Sequence, residues 1–307
     1  MTDNRNRSQG WQYAKITGHT NEKMIAADVK TNTELQKRLL HAAHKDNENI
    51  SSVEYGGLNE KDVPCVLGGL TKSKSDMKIL LTNGESIGVS IKKSFGGQVY
   101  LISAKRFIAG YEKQFNTIIP VNVKTAILLF WGCSDSVPLI IEQYSTKNKK
   151  YESKKHRIVA ETLKLYSKEL YDCLINWFSK NIDNVFDYCF SKGLAANSDD
   201  WAMLIWYKND VKEIDNDTLI NLNDVKKCFS TNVEYGTRTG GSTIQLPFGF
   251  VQWHSPTKKI PGDMQFHHSY TKILESIEQY CNFYNIPFDK NNPTNNDIGE
   301  KCDKTHS

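Results

Sequence analysis

Residues 73–93 of the chain read SKSDMKILLTNGESIGVSIKK. Two runs rich in aliphatic residues, 77–81 and 87–93, flank the pair Asn83-Gly84. Asn-Gly suits the two-residue turn of a β-hairpin, because both central positions of that turn take positive φ angles. The sequence therefore predicts two antiparallel strands that turn at Asn83-Gly84.

This hairpin is expected to bring several polar residues to one place. Side chains alternate between the faces of a strand, so Ser90 and Lys92 share a face, and Asp76 can lie beside them on the partner strand. Metal-assisted cleavage of a phosphodiester needs oxygen ligands for the cation and a positive group that orients the attacking water. We therefore expect Asp76 and the carbonyl oxygen of Ile91 to bind Mg²⁺, and Lys92 to orient that water. A surface hairpin with a weak ion pair is the alternative.

The same residues resemble the motif of the PD-(D/E)XK nuclease superfamily, and of its type II restriction endonucleases in particular. That motif is an Asp on one hairpin strand, followed on the next strand by an acid, any residue and a Lys; here it reads Asp76, then Ser90-Ile91-Lys92. Ser90 stands in place of the second acid, as an uncharged polar residue does in a minority of restriction enzymes. The resemblance covers residues 18–133. It implies Mg²⁺-dependent DNA cleavage that leaves 5′-phosphate ends, with Asp76, Ser90 and Lys92 as catalytic residues.

The resemblance also implies an additional acid on the first helix. Glu22 stands where the family often holds such an acid facing the active site, and we expect it to support catalysis there. Glu34 is the substitute candidate. A plain exposed position on the helix is the alternative for Glu22.

A second informative region, residues 235–270, interleaves polar side chains with aromatic residues and glycines. Arg and Gln side chains can form paired hydrogen bonds with base edges in the major groove, whereas Lys holds phosphates. The complete set of predicted DNA contacts is Lys74, Lys93, Ser94, Gln98, Arg238, Gln245, Gln252, His254 and Lys258. Solvent exposure without DNA contact is the alternative for the loop residues of this set.

Two further features stay open or are set aside. The basic run 147–157 is either a phosphate clamp or a solvated face. His267 and His268 are adjacent, so they would face opposite sides of a strand and do not predict a zinc site.

The pattern of apolar residues predicts an α/β protein with a mixed central sheet flanked by helices and a mixed C-terminal region. The resemblance implies the restriction-endonuclease-like form of this architecture, with the C-terminal region serving in DNA recognition. Helices are expected to about residue 45 and over 104–115, 154–180, 183–192 and 272–284. Strands are expected over 124–133, as the central buried strand, and over 201–207, 244–253 and 262–266. The predicted divisions are a catalytic core at 1–210, a β-rich recognition region with the final helix at 211–288, and a polar, disordered tail at 289–307.

Composition limits the class of protein. With 307 residues, 39% hydrophobic and 24% charged, the chain is typical of a globular protein. Its longest apolar run is too short for a membrane span, and its N-terminus lacks an apolar signal segment. Seven cysteines without close pairs predict reduced thiols in a cytosolic protein rather than disulfides or a zinc site. The resemblance to restriction enzymes implies the cytoplasm of a prokaryote.

The sequence thus predicts a type II restriction enzyme: a Mg²⁺-dependent, sequence-specific endonuclease acting on double-stranded DNA. A homodimer would match a palindromic target, although monomeric enzymes exist in this group. The alternatives are a repair or structure-specific nuclease of the same fold, a catalytically inactive DNA-binding protein, and a protein-interaction module with no affinity for DNA.

Overall fold

The structure is a computed structural model. It describes residues 7–56, 62–211, 214–254 and 262–291, together with positions 293 and 298. The α-helices in these residues are α1 (Arg7–Thr31), α2 (Thr33–Ala42), α3 (Ala104–Phe115), α4 (Val121–Phe130), α5 (Val137–Tyr144), α6 (Lys149–Lys155), α7 (Ala160–Tyr166), α8 (Lys168–Lys180), α9 (Ile182–Asp187), α10 (Leu222–Lys226) and α11 (Tyr270–Tyr284). The strands are β1 (Ile50–Tyr55), β2 (Asp62–Pro64), β3 (Leu70–Lys72), β4 (Met77–Leu81), β5 (Ser86–Lys92), β6 (Gly96–Ser103), β7 (Leu204–Asn209), β8 (Ile214–Asn221), β9 (Glu234–Tyr235), β10 (Thr243–Leu246), β11 (Gly249–Trp253) and β12 (Asp263–Ser269).

The chain forms two compact units whose segments alternate along the sequence. The first unit draws on residues up to Phe95, residues 190–227 and residues from Ile277 onward. The second unit draws on residues 96–189 and 228–276. The assignment of separate roles to residues 1–210 and 211–288 remains a prediction.

The first unit contains the mixed sheet that the sequence predicts, with helices packed against it. Its strands lie in the order β1-β4-β5-β7-β8, and only the β5–β7 pair is parallel. Ile25 and Val29 of α1 and Leu39 of α2 are buried against apolar side chains of these strands, including Ile79 and Val89. The predicted mixed sheet flanked by helices is therefore confirmed.

The hairpin of β4 and β5 forms at the predicted place. Met77 lies opposite Val89 in an antiparallel register, and Gly84 in the connecting turn has a φ angle of 90°. Only Gly adopts such an angle without steric cost, which explains Gly84. Asn83 does not have a positive φ angle, so the connection is not the expected two-residue turn. The Gly84 N–H donates to the Leu81 carbonyl at 3.1 Å and the Leu81 N–H donates to the Glu85 carbonyl at 2.9 Å, so Thr82, Asn83 and Gly84 form the turn.

Gly88 allows a close approach between β5 and the chain that leads into β7. A Cβ atom at this position would lie 2.1 Å from the carbonyl oxygen of Trp201. The Gly88 carbonyl accepts a hydrogen bond of 2.7 Å from the backbone N–H of Met203. This contact fixes the middle of β5 and therefore the positions of Ser90 and Lys92 at its end.

The second unit is built on an antiparallel sheet in the order β6-β12-β11-β10-β9. One face of this sheet is apolar: Val251 and Met264 are fully buried, and Phe266 packs on Phe107 of α3 with ring centroids 5.7 Å apart. The alternate residues Gln252, Gln265 and His267 point to the other face, as the period of two requires. The second face is therefore polar.

Residues 124–133 do not form the central buried strand that the sequence predicts. They lie in α4 and the turn after it. An unbroken apolar run of this length fits a buried strand and a buried helix equally well. Two signals favour the helix. The buried residues recur at three- and four-residue steps, at Val123, Ile127 and Phe130, and Pro120 stands at the N-cap.

The prediction of one long helix from Lys154 to Lys180 is also wrong. This segment contains the end of α6 and the whole of α7 and α8, with breaks between them. Val159 (φ −100°, ψ 170°) and Ser167 (φ −155°, ψ 109°) are extended. The Ser167 hydroxyl accepts a hydrogen bond of 3.3 Å from the backbone N–H of Leu170, so it caps α8.

Other predicted elements are confirmed with small shifts. The helices at 104–115 and 272–284 form as α3 and α11, and the C-terminal strands form as β10, β11 and β12. The strand predicted at 201–207 forms as β7, beginning at Leu204. The turn predicted at Ser255-Pro256 and nearly all of the predicted tail lie outside the described residues. In the part of the chain that the structure describes, none of the helices has both the length and the apolar content needed to span a bilayer.

Candidate functional site

The carboxylate of Asp76 lies where β4 begins, directly beside the end of β5. Its Oδ2 atom accepts hydrogen bonds from the backbone N–H of Ile91 at 2.7 Å and from the hydroxyl of Ser90 at 3.2 Å. The ammonium nitrogen of Lys92 lies 3.7 Å from the same oxygen. The structure therefore brings together the four residues that the sequence picks out on the hairpin.

The backbone around Asp76 is held on both sides. Its N–H donates to the carbonyl of Val89 at 2.9 Å, and its carbonyl accepts from the N–H of Gly56 at 3.1 Å. The hydroxyl of Ser75 donates to the Met77 carbonyl at 2.6 Å and accepts from the Val89 N–H at 3.2 Å. These bonds fix the direction of the Asp76 side chain before any ligand binds.

Lys92 is held by the two residues that precede it. Its Nζ donates to the hydroxyl of Ser90 at 2.7 Å and lies 3.5 Å from the carbonyl oxygen of Ile91. Ser90 is buried, whereas the side chains of Lys92 and Asp76 keep 20% and 28% of their surface exposed. Ser90 thus positions the two charged groups, which remain accessible to a ligand.

Asp76 also lines a cleft of about 280 Å³ in the first unit. Glu22 of α1 reaches the same cleft, so the structure places the predicted helix acid and the hairpin acid around one space. The Glu22 side chain is 15% exposed, and its Oε2 lies 3.1 Å from Nδ1 of His19. Glu34, the substitute, instead forms an ion pair with Lys37 and is 80% exposed on α2.

The cleft contains acids that the sequence reasoning missed. The acidic side chains that line it are Glu22, Glu54, Asp76, Asp199 and Asp200. Glu54 lies on β1 opposite Lys78, a position that strand alternation next to the hairpin could have indicated. Asp199 and Asp200 come from a short 3₁₀ turn more than a hundred residues further on, which no local pattern connects with Asp76.

The donors present fit a magnesium ion. Mg²⁺ binds oxygen ligands and usually keeps several waters, so one or two carboxylates suffice. Among the described residues, no hydrogen bond is made to Oδ1 of Asp76, which leaves this oxygen open. The carbonyl of Ile91 points to the same side of β5 as the N–H that binds Asp76. Within the described ranges, no group of three or more His, Cys, Asp or Glu side chains is arranged to hold a metal by itself.

The predicted basic contacts near the hairpin have different surroundings. The aliphatic part of Lys74 packs over Gly193, where a Cβ atom would lie 2.9 Å from Lys74 Cε. A Cβ atom placed on Gly18 of α1 would lie 4.0 Å from Nζ of Lys93 and 3.9 Å from Oε1 of Glu22. Lys93 therefore faces α1 beside Glu22. Ser94 is exposed in the loop after β5.

In the second unit, three of the predicted base contacts line one open cavity of about 590 Å³. Arg238 lies in a 3₁₀ turn between β9 and β10, and Gln245 and Gln252 lie on the polar face of the sheet. The residues around the cavity are Glu234, Gly236, Thr237, Arg238, Thr239, Ser242, Thr243, Gln245, Phe250 and Gln252. A cavity with these donors and acceptors can bind a polar planar ligand edge.

The remaining predicted contacts of this region are placed differently. His254 follows β11, where its backbone N–H donates to the carbonyl of Asp263 at 3.0 Å, and its ring is not part of the cavity wall. Gln98 lies on β6 and accepts a hydrogen bond of 2.7 Å from the amide of Gln265. Lys258 lies outside the described residues.

Comparison with known proteins finds similarity in structure but no match in sequence. No protein-family model matches the sequence, and no curated protein matches it significantly. Among solved structures, the chain is similar to the restriction endonuclease MspI in complex with its cognate DNA. The TM-score is 0.49 at 15% sequence identity, and the match covers 86% of this chain and 93% of that chain. Similarity at this level transfers no residue role from one chain to the other.

Proposed function

We propose that this protein is a sequence-specific endonuclease that hydrolyses double-stranded DNA with Mg²⁺, as a type II restriction enzyme. The observation that supports it most is the convergence of Asp76, Ser90, Ile91 and Lys92 at one end of the hairpin. A carboxylate with an open oxygen, a backbone carbonyl and an accessible ammonium group are the parts that metal-assisted phosphodiester hydrolysis requires.

Each residue of this group has a separate task in the proposed reaction. Asp76 and the Ile91 carbonyl hold the cation, which when bound lowers the pKa of water and offsets charge on the phosphate. Lys92 orients the attacking water and stabilises the negative charge that develops at phosphorus. Ser90 holds the Lys92 ammonium group in place, and Glu22 accepts a hydrogen bond from water in the cleft. Attack on phosphorus by the water that Lys92 orients would break the P–O3′ bond, and the leaving 3′ oxygen would take a proton from solvent, which leaves a 5′-phosphate and a 3′-hydroxyl end.

The proposed substrate is DNA because side chains that can bond to base edges line a cavity in the second unit. Arg238, Gln245 and Gln252 supply the side-chain types that bond to base edges in the major groove. Lys74, Lys93 and Ser94 are proposed to contact phosphates, which fix the register of the protein on DNA. A homodimer would match a palindromic site, and the proposed setting is the cytoplasm of a prokaryote.

The test is digestion of phage DNA with and without Mg²⁺ by the wild type, Lys92→Ala and Lys113→Ala, the last being an exposed lysine of α3. Discrete Mg²⁺-dependent fragments from the wild type and Lys113→Ala, lost with Lys92→Ala, are expected. The loss should be about a hundredfold or more in rate, the usual effect of removing a group that stabilises the transition state.

Each of three other outcomes would contradict this proposal and favour a different function. A smear of fragments would indicate a structure-directed or nonspecific nuclease of the same fold. Intact DNA that is nevertheless bound at specific sites would indicate a DNA-binding protein without catalysis. Absence of any DNA affinity at low salt would exclude both, since phosphate contacts dominate such binding.

A further inference from the structure

Four polar side chains form a continuous hydrogen-bonded row across neighbouring strands of the second unit. The amide nitrogen of Gln265 on β12 donates to Oε1 of Gln98 on β6 at 2.7 Å. The amide nitrogen of Gln252 on β11 donates to Oε1 of Gln265 at 3.0 Å. The same nitrogen of Gln252 lies 3.2 Å from Nε2 of His267.

The last contact determines the protonation of His267. An amide nitrogen can only donate, so Nε2 of His267 must accept, and the ring proton must lie on Nδ1. The ring is therefore neutral. Burial acts in the same direction, because it lowers the pKa of His267. The ring is also fixed in orientation, since it stacks on Phe250 with centroids 4.5 Å apart and planes inclined by 6°.

These contacts limit what Gln252 can offer to a ligand. Both hydrogens of its amide group are used, one by Gln265 and one by His267. Its Oε1 accepts no hydrogen bond from the described residues, and the side chain lines the open cavity. Gln252 therefore presents an acceptor alone, whereas a paired contact between a glutamine side chain and adenine needs a donor as well.

We propose that Gln252 reads a hydrogen-bond donor on the edge of a base, namely the exocyclic amino group of cytosine or adenine in the major groove. Guanine and thymine present acceptors at this edge, so they would meet the Gln252 oxygen without a bond. Gln265 and His267 are positioning residues that prevent the side-chain amide of Gln252 from rotating by 180°. This inference rests on the proposed function, because it takes DNA as the ligand.

The first experiment selects binding sites from randomised duplex DNA without divalent cations, for the wild type, Gln252→Leu and Gln143→Leu. Gln143 is an exposed residue of α5, so its variant controls for the chemical change. We expect the wild type and Gln143→Leu to prefer cytosine or adenine at one position, roughly tenfold over the other bases, and Gln252→Leu to lose this preference there alone. A Gln252→Leu variant with unchanged specificity at every position would overturn the inference.

The second experiment removes single groups. In the selected site, 2-pyrimidinone replaces cytosine, or purine replaces adenine, so that only the amino group is lost. The wild type should bind this DNA roughly tenfold more weakly, and Gln252→Leu should bind both DNAs alike. His267→Phe keeps the stacked ring but removes the acceptor, so it should relax discrimination at the same position only. An equal loss of affinity for all sequences would mean a merely structural role for His267.

Different results would contradict the proposed function and the recognition of a base by Gln252. If the wild type shows no sequence preference, the proposed function fails and this inference fails with it. If the wild type binds and cuts a specific site but is insensitive to removal of every cytosine and adenine amino group in that site, only the reading by Gln252 is wrong.

Discussion

The ammonium nitrogen of Lys92 lies 3.7 Å from Oδ2 of Asp76, and the Ser90 hydroxyl is hydrogen-bonded to both groups. The separation is longer than that of a tight ion pair, and both charged side chains remain partly exposed. The carboxylate and the ammonium group are therefore held side by side by a neutral buried hydroxyl. In this arrangement one carboxylate oxygen stays open for a cation, and the Lys92 side chain lies beside it.

Asp76→Asn is expected to abolish cleavage while specific DNA binding is retained. The amide keeps the size of the side chain and an oxygen that can accept from the Ile91 N–H, but it removes the charge that holds Mg²⁺. Cleavage rates with Mg²⁺ and binding without divalent cations are the measurements, with Asp172→Asn on the exposed face of α8 as control. Retained cleavage by Asp76→Asn would remove this residue from the mechanism.

Ser90→Ala is expected to slow cleavage by about 10- to 100-fold, the usual range for residues that orient a catalytic group. The variant removes the hydroxyl that accepts from Lys92 and donates to Asp76. Single-turnover cleavage and DNA affinity should separate the effects, because only the rate should fall. Ser86→Ala on the same strand is the control, and a rate equal to that of the control would show that Ser90 is not needed to position Lys92.

The hairpin shows how much of the site could be predicted from the sequence. The Asn83-Gly84 pair locates the turn between two strands, and the period of two then places Ser90 and Lys92 on one face. Both steps are local, so one sequence is enough. The exact register does not follow from the turn residues, because Leu80 lies opposite Ser86, one residue away from the register of a two-residue turn.

Features that depend on distant segments could not be predicted in this way. Asp199 reaches the cleft because β7 pairs with β5, a contact between segments more than a hundred residues apart. The prediction for α4 is wrong for a different reason: an unbroken run of apolar residues fits a buried strand as well as a buried helix. The acceptor-only state of Gln252 depends on the neighbours that β12 provides, which residue type alone does not reveal.

Gly88→Ala is expected to destabilise the first unit by about 1–3 kcal/mol or more, the typical cost of overpacking. The added methyl group would lie 2.1 Å from the carbonyl oxygen of Trp201, a backbone atom that cannot move aside alone. Urea unfolding compared with the wild type is the measurement. Gly68→Ala is a useful contrast, because no atom lies within 4 Å of its Cβ position, although its φ of 88° adds strain. Equal stability of Gly88→Ala and the wild type would show that β5 and the segment before β7 are not packed this closely.

The stability of the first unit should depend on pH through Asp217. Burial alone would raise the pKa of this carboxyl, but the hydrogen bond from Trp206 and the charges of Arg38 and Lys208 lower it below its ordinary value. A lowered pKa in the folded state means that the ionised group stabilises the fold above the unfolded value of about 4, and that this stabilisation is lost as the pH falls through the folded value. Asp217→Asn should therefore be less stable than the wild type near neutral pH, with a difference that shrinks below about pH 4. Urea unfolding at several pH values measures this, and a difference that does not change with pH would contradict the linkage.

Arg238→Ala is expected to lower discrimination between target and mismatched DNA by about 1–3 kcal/mol, the range for a side chain that bonds to a guanine edge. Arg238 lines the same cavity as Gln245 and Gln252, so its loss should relax specificity at a base pair close to the one that Gln252 reads. Competition binding between the target and single mismatches measures this, with Lys113→Ala as the control for loss of a positive charge. A uniform loss of affinity with an unchanged preference would show that Arg238 binds phosphate, and such a contact would also reduce the dependence of binding on salt.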